Sequence, residues 1–397
     1  MKGGAKIYSL LLAIIYISFI SLGLPSALLG SAWPAMQPQL DVPTHYMGII
    51  TMIMATGTII SSLLSDKLTK KWGVGLLNTI SVCLTAISLI GFSFSGSFLL
   101  LCLWAIPYGF GAGAIDASIN SYVAENYTSK HMNWLHCFWG VGAMVGPYIM
   151  GFYLTRGSNW NSAYQTVALI QFAFLFALIF SLPLWKKRKL NDSNKPNRSK
   201  GMRELLRIKG VKCVLLAFFA YCAVEATVGI WASTYLVNHR GMDIEIAALF
   251  ASLFFIGITV GRFATGFISN KLGDKKMISI GISIIFVGIA LVWLPVDVDL
   301  FGLLGLIIVG LGCAPVFPAI IHSTPNNFGV ENSQAIVGIQ MASAYTGSTL
   351  MPPLFGLLAN AIGIFLYPAF LLFFTILMLV MITALNKSIK TGGMENA

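Results

Sequence analysis

Charge is what this chain has least of. Only 10% of its 397 residues are charged, against about 25% in an ordinary soluble domain. With 57% hydrophobic residues and a mean hydropathy of +0.81, that shortage excludes a water-soluble globular protein and leaves an integral membrane protein. Cysteine is sparse and solitary. The six residues (83, 102, 137, 213, 222 and 313) stand apart, mostly in apolar segments. That placement suggests neither a disulfide framework nor a metal site. The glycine-rich stretch "FGAGA" (110–114) lacks both a following Lys-Ser/Thr and a preceding strand, so it is not a phosphate loop. With no nucleophile–base motif either, nothing points to an enzyme or to a cofactor. The first apolar segment is too long for a signal-peptide core and no cleavage site follows it, so a retained transmembrane helix is expected.

The net charge of +11 is concentrated rather than spread. Residues 186–212 hold eleven Lys/Arg and two acids, which accounts for +9 of it. A basic block between two apolar halves suits a cytoplasmic loop near anionic lipid better than nucleic acid. A spanning helix needs about 20 apolar residues. Twelve segments qualify: 8–32, 44–64, 74–94, 98–123, 133–155, 161–185, 211–238, 245–268, 276–295, 299–321, 333–358 and 362–386. The expected organisation is an N-terminal six-helix bundle (1–185), a basic linker (186–210) and a C-terminal six-helix bundle (211–397). With both termini cytoplasmic, 22 of the 25 Lys/Arg fall on the inner side. Arg156 and Arg240 lie outside, and Arg262 lies within a span. That asymmetry supports the orientation.

The halves repeat. "SDKLTKKWG" (65–73) follows span 2 and "SNKLGDKK" (269–276) follows span 8. "GAMVGPYIMG" (142–151) matches "GSTLMPPLFG" (347–356) in its Gly-Pro-Gly spacing, at nearly the same offset. Parallel six-helix repeats of this kind build transporters that rock about a midplane site.

The 6+6 plan, the two basic loops and "VGR" (260–262) resemble the major facilitator superfamily. The resemblance covers nearly the whole chain. More narrowly, "LGLPSALLGSAWPAM" (22–36), "YGFGAGAIDASIN" (108–120) and "WLHCFWGVGAMVGP" (134–147) are similar to the fucose:proton symporter group. The fold so implied is all-α, with twelve transmembrane helices in two pseudo-symmetric bundles. The implied activity is secondary transport of a small polar solute, in a monomer in the cell membrane surrounded by lipid. The loop motif is a partial match, because Ser61 or Ser62 stands where the superfamily has Gly.

Asp116 is the leading candidate for chemistry. An Asp at a helix centre costs about 2.5–3.5 kcal/mol on insertion scales, and such residues face a bundle interior or a wet cavity. It lies nine residues before Glu125, about 13 Å along the helix. The symporter group uses a carboxylate in this helix for proton coupling. A static pair with Arg262 is the competing reading. Asn120, one turn on, is placed to hold a sugar hydroxyl or to orient the carboxylate. Glu225 in span 7 is a second titrating or substrate-binding candidate, with a structural hydrogen bond as its alternative. The resembling proteins often carry an acid in span 1, where this chain has Ser26.

His136 and Trp139 in span 5, with Tyr108, Tyr221, Gln340 and Tyr345, are the remaining candidate substrate-binding groups. Trp offers a flat face and an N–H suited to a sugar. Trp33, Trp231 and Tyr235 suit the membrane interface. Asp66 with Lys67, Lys70 and Lys71 is expected to lock helices at the cytoplasmic side, and Arg262 to serve structure or gating. The glycines 109, 111 and 113 are expected to allow close helix approach. The solute expected is a sugar or polyol moved with protons by alternating access. Sodium coupling, uncoupled transport, proton-driven export of amphipathic compounds and a transport-dead sensor are the alternatives.

Overall fold

The computed structural model describes residues 2–43, 46–185, 201–242, 244–294 and 299–394. The expected basic linker falls on residues 186–200, outside the described residues, and on 201–210. The described residues form helices with no strand among them. They fall into two compact units. The first comprises Met1–Tyr122 and Leu135–Ser199. It contains α1 (Lys2–Gly23), α2 (Leu28–Leu40), α3 (Tyr46–Trp72), α4 (Val74–Ser93), most of α5 (Phe98–Asn126), most of α6 (Ser129–Thr155) and α7 (Trp160–Ser181). The second comprises Val123–Trp134 and Lys200–Ala397. It takes the ends of α5 and α6, then α8 (Met202–Leu205), α9 (Val211–Arg240), α10 (Ile244–Leu272), α11 (Asp274–Trp293), α12 (Asp299–His322), α13 (Thr324–Phe328), α14 (Val330–Ala361) and α15 (Tyr367–Met394).

Eleven segments of the described residues are long and apolar enough to cross a membrane. The expected span at 333–358 is also a long helix, α14, but it is not one of the eleven. Asn332, Ser333, Gln334, Gln340, Ser343, Thr346 and Ser348 dilute its hydropathy, and the first four of them are buried.

The span expected at 8–32 is interrupted. α1 ends at Gly23 and α2 begins at Leu28, with a turn between them. Pro25 is the cause. It has no N–H, and its ring clashes with the carbonyl four residues back. That carbonyl belongs to Ser21, and the Gln171 side-chain amide of α7 donates to it at 2.7 Å. Gln171 in turn accepts the Thr85 hydroxyl of α4 at 3.0 Å. Nearby, the Asn78 amide donates to Ser18 Oγ at 2.9 Å. Lipid gives helices no hydrophobic reason to associate, so such bonds and close backbone contact hold them together.

Glycine supplies the close contact. A Cβ on Gly109 would collide with the Met54 carbonyl oxygen, and one on Gly113 with the Thr58 carbonyl and Ser61 Oγ, both on α3. Gly142 and Gly146 of α6 meet the Ile20 and Leu24 carbonyls in the same way. The second unit repeats the device, with Gly257 against the Ile307 carbonyl and Gly310 against that of Phe254. Prolines lie inside α5, α6, α12 and α14.

Candidate functional site

In the first unit the sequence candidates of α5 and α6 meet. Asp116, Asn120 and His136 are all buried, at 8%, 0% and 5% exposure. The 3.6-residue period places Asn120 over Asp116, and its side-chain amide donates to Asp116 Oδ1 at 2.7 Å and to the Asp116 carbonyl at 2.9 Å. Both are acceptors, which settles the amide orientation and leaves Asn120 Oδ1 facing α6. His136 Nε2 lies 3.1 Å from that oxygen, so the ring donates from Nε2. The edge of Phe19 on α1 packs against the imidazole, with centroids 5.5 Å apart. Gly142 and Gly146 let α6 approach α1 closely further along the same helix.

The result is a buried three-residue polar chain, on a stretch of α5 whose neighbouring Ile115, Ala117 and Ile119 are buried too. The Asp116 carboxylate is held by a fixed amide donor one turn further along its own helix. Trp139 is half-buried one turn further along α6, where its carbonyl oxygen touches Gly23. Tyr108 is buried two turns before Asp116. Ser26 lies in the turn between α1 and α2 and is exposed. Its hydroxyl donates to the Leu22 carbonyl at 3.0 Å.

In the second unit Glu225 and Arg262 form an ion pair across α9 and α10, at 3.2 Å. Arg262 is buried, and Glu225 keeps 24% of its side chain exposed. Within this unit the partner of Arg262 is Glu225. The bond of Glu225 runs to α10. Tyr221, one turn before Glu225, is fully buried and donates to the Cys313 carbonyl at 3.1 Å. Gln340 is likewise fully buried and accepts the Thr324 hydroxyl at 3.0 Å. Tyr345 is half-buried on α14. The Trp231 indole donates to the Pro352 carbonyl at 2.9 Å.

Asp66 pairs within its own helix, with Lys70 at 2.9 Å, while its other oxygen is buried with no partner among the described residues. Lys67 and Lys71 are exposed, and the Lys71 ammonium sits 5.6 Å from the Trp72 ring centroid. One further cluster had no signature in the sequence. Asp274 and His322 are 48 residues apart and joined at 2.7 Å. Among the described residues no group of His, Cys, Asp and Glu could hold a metal ion.

Comparison with known proteins agrees with this architecture. The chain is 23% identical over 392 residues to Bypass of stop codon protein 6 of Saccharomyces cerevisiae, covering 88% of this chain and 76% of that one. It is 22% identical over 315 residues to the glucose/mannose transporter GlcP of Bacillus subtilis, covering 76% of this chain and 77% of the relative. The structure of the E. coli fucose:proton symporter FucP in its outward conformation superposes with a TM-score of 0.75 at 15% identity, covering 95% of this chain and 98% of that one. The model of the Major Facilitator Superfamily matches residues 15–298 and 213–392. The fold, the length and this match agree, and the chain is a multi-pass membrane transporter belonging to the Major Facilitator Superfamily.

Proposed function

We propose that this protein carries a sugar or sugar-like solute across the cell membrane by alternating access, coupled to protons through Asp116, with both termini cytoplasmic. The observation that carries the reading is the buried chain Asp116–Asn120–His136. A carboxylate in an apolar helix is expensive to insert, and here a dedicated amide donor holds it. Glu225, paired with Arg262, is read as a structural or solute-binding group, and the proton is assigned to Asp116. The glucose/mannose transporter among its relatives and the fucose symporter among its structural neighbours support a sugar as solute. Trp139, half-buried beside the Gly23 contact, is the aromatic face for the sugar ring. Asp66 and Lys70, with Lys67 and Lys71 near them, belong to the gating end of α3. The two bundles are the moving bodies, joined by the basic linker.

The test is purified protein in proteoliposomes, screened against a sugar panel by thermal stabilisation. A ligand that binds only the folded state raises its stability. Asp116→Asn is expected to abolish accumulation driven by a pH gradient while leaving solute counterflow. Accumulation by the variant equal to that of the unmodified protein refutes the role of Asp116. Accumulation driven by sodium and indifferent to the pH gradient replaces the proton as coupling ion.

A further inference from the structure

We propose that Asp274 and His322 form a second proton-binding site, whose bound proton fastens the turn between α5 and α6 to α11 and α12. The argument is one of donors and acceptors. His322 Nδ1 lies 2.7 Å from Asp274 Oδ2, and His322 Nε2 lies 3.1 Å from the Tyr127 carbonyl oxygen. A carbonyl oxygen only accepts, and so does an ionised carboxylate. Satisfying both therefore requires one proton more than a neutral ring and an ionised acid hold together. That proton lies between Oδ2 and Nδ1, whichever atom is written as its owner. The site is built rather than incidental. Ser129 Oγ donates to the other oxygen of Asp274 at 2.9 Å. The Lys130 backbone N–H donates to Asn270 at 3.1 Å, and Thr265 Oγ1 donates to Asn133 at 2.7 Å.

When the proton leaves to water, one N–H remains for two acceptors. The charge-assisted bond to Asp274 is the stronger, so the ring keeps its hydrogen on Nδ1. The bond to Tyr127 is then lost. The turn that closes α5 is released at the point where it meets α12. Tyr127 lies eleven residues beyond Asp116, where α5 ends. The groups around the pair are few. Asp274 and the Tyr127 carbonyl act directly on the ring. The turn also carries the Tyr127 phenol and His131, whose rings meet edge to face, and Lys130, whose ammonium lies 4.2 Å over the Trp134 ring. Lys275 and Lys276 follow Asp274 and are exposed. The proposal does not depend on proton coupling at Asp116.

Hydrogen exchange of the full-length protein in lipid nanodiscs, followed over peptides spanning 123–134, tests it. Each variant is compared with the unmodified protein at the same pH, which cancels the intrinsic chemistry of exchange. In Asp274→Asn the side-chain amide donates to Nδ1 of a neutral ring, so Nε2–H still reaches Tyr127 with no extra proton. The expected result is equal protection of the two proteins at about pH 5.5, where an ordinary histidine is charged. By about pH 8.5 the unmodified protein should exchange about fivefold faster, the factor for one hydrogen bond of ordinary strength. His322→Gln should exchange faster at both values and show no transition. A transition that persists in His322→Gln belongs to His131 and overturns the proposal, as does parallel behaviour of the unmodified protein and Asp274→Asn. If either variant fails to fold, the ring nitrogens decide. In protein labelled with 15N-histidine, the His322 signal must shift across the same range, and a signal that stays fixed refutes the site.

Discussion

Truncating Glu225 to Ala leaves the Arg262 guanidinium buried and charged, with its Nε already lacking a partner. At 3.2 Å and an effective dielectric of about 20, the attraction is about 5 kcal/mol before desolvation is charged against it. Breaking a fully buried pair from one side costs about 3–5 kcal/mol. Glu225 keeps 24% exposure, which screens the pair, so about 2–3 kcal/mol is expected. Arg262→Met removes the buried cation and leaves an acid with some access to water. It should therefore cost less, about 1–2 kcal/mol. The double variant should be more stable than the sum of the single losses by about 1–3 kcal/mol, as for residues in contact. The assay is unfolding of the detergent-solubilised protein. At about 2–4 °C per kcal/mol for a body of this size, Glu225→Ala should lower the midpoint by roughly 4–12 °C. Additive single losses, or a Glu225→Ala protein as stable as the parent, would show that the pair is not what retains Arg262 in the membrane.

Gln171→Leu strands the Ser21 carbonyl that Pro25 has already released, while the Thr85 hydroxyl keeps its bond to the Val82 carbonyl. An unmade bond of this kind costs about 1–3 kcal/mol, and urea or detergent titration should show a loss of that size. An apolar replacement that costs nothing would mean that the break after Gly23 is supported elsewhere. Gly109→Leu puts a side chain where the Met54 carbonyl sits. It should therefore separate α5 from α3 and abolish correctly folded expression, whereas Gly30→Leu, which meets nothing within 4 Å, should not. Equal yields of the two, by fluorescence-detected size exclusion, contradict the close-packing argument.

Most of the architecture was legible beforehand because lipid imposes a simple rule. Every backbone polar group must be bonded within the spanning element, so apolar length alone marks most of the helices. α14 escaped that rule in part because tertiary packing hides its polar side, which composition cannot show. The break at Pro25 had its proline in view, but the reason it is tolerated lies on α7, at Gln171. Asp116 and Asn120 were legible as neighbours because one helix fixes their spacing.

What the sequence alone determined is therefore local or global: the membrane class, most of the spans, and the i,i+4 pairing of Asp116 with Asn120. Which acid meets which cation was decided only by the fold. Packing of α10 on α9 gave Arg262 its partner Glu225. In the same way, His136 of α6 reaches Asn120 of α5, and His322 meets Asp274 across 48 residues. Contacts between helices depend on rotation and approach, and a one-dimensional pattern of hydropathy carries neither.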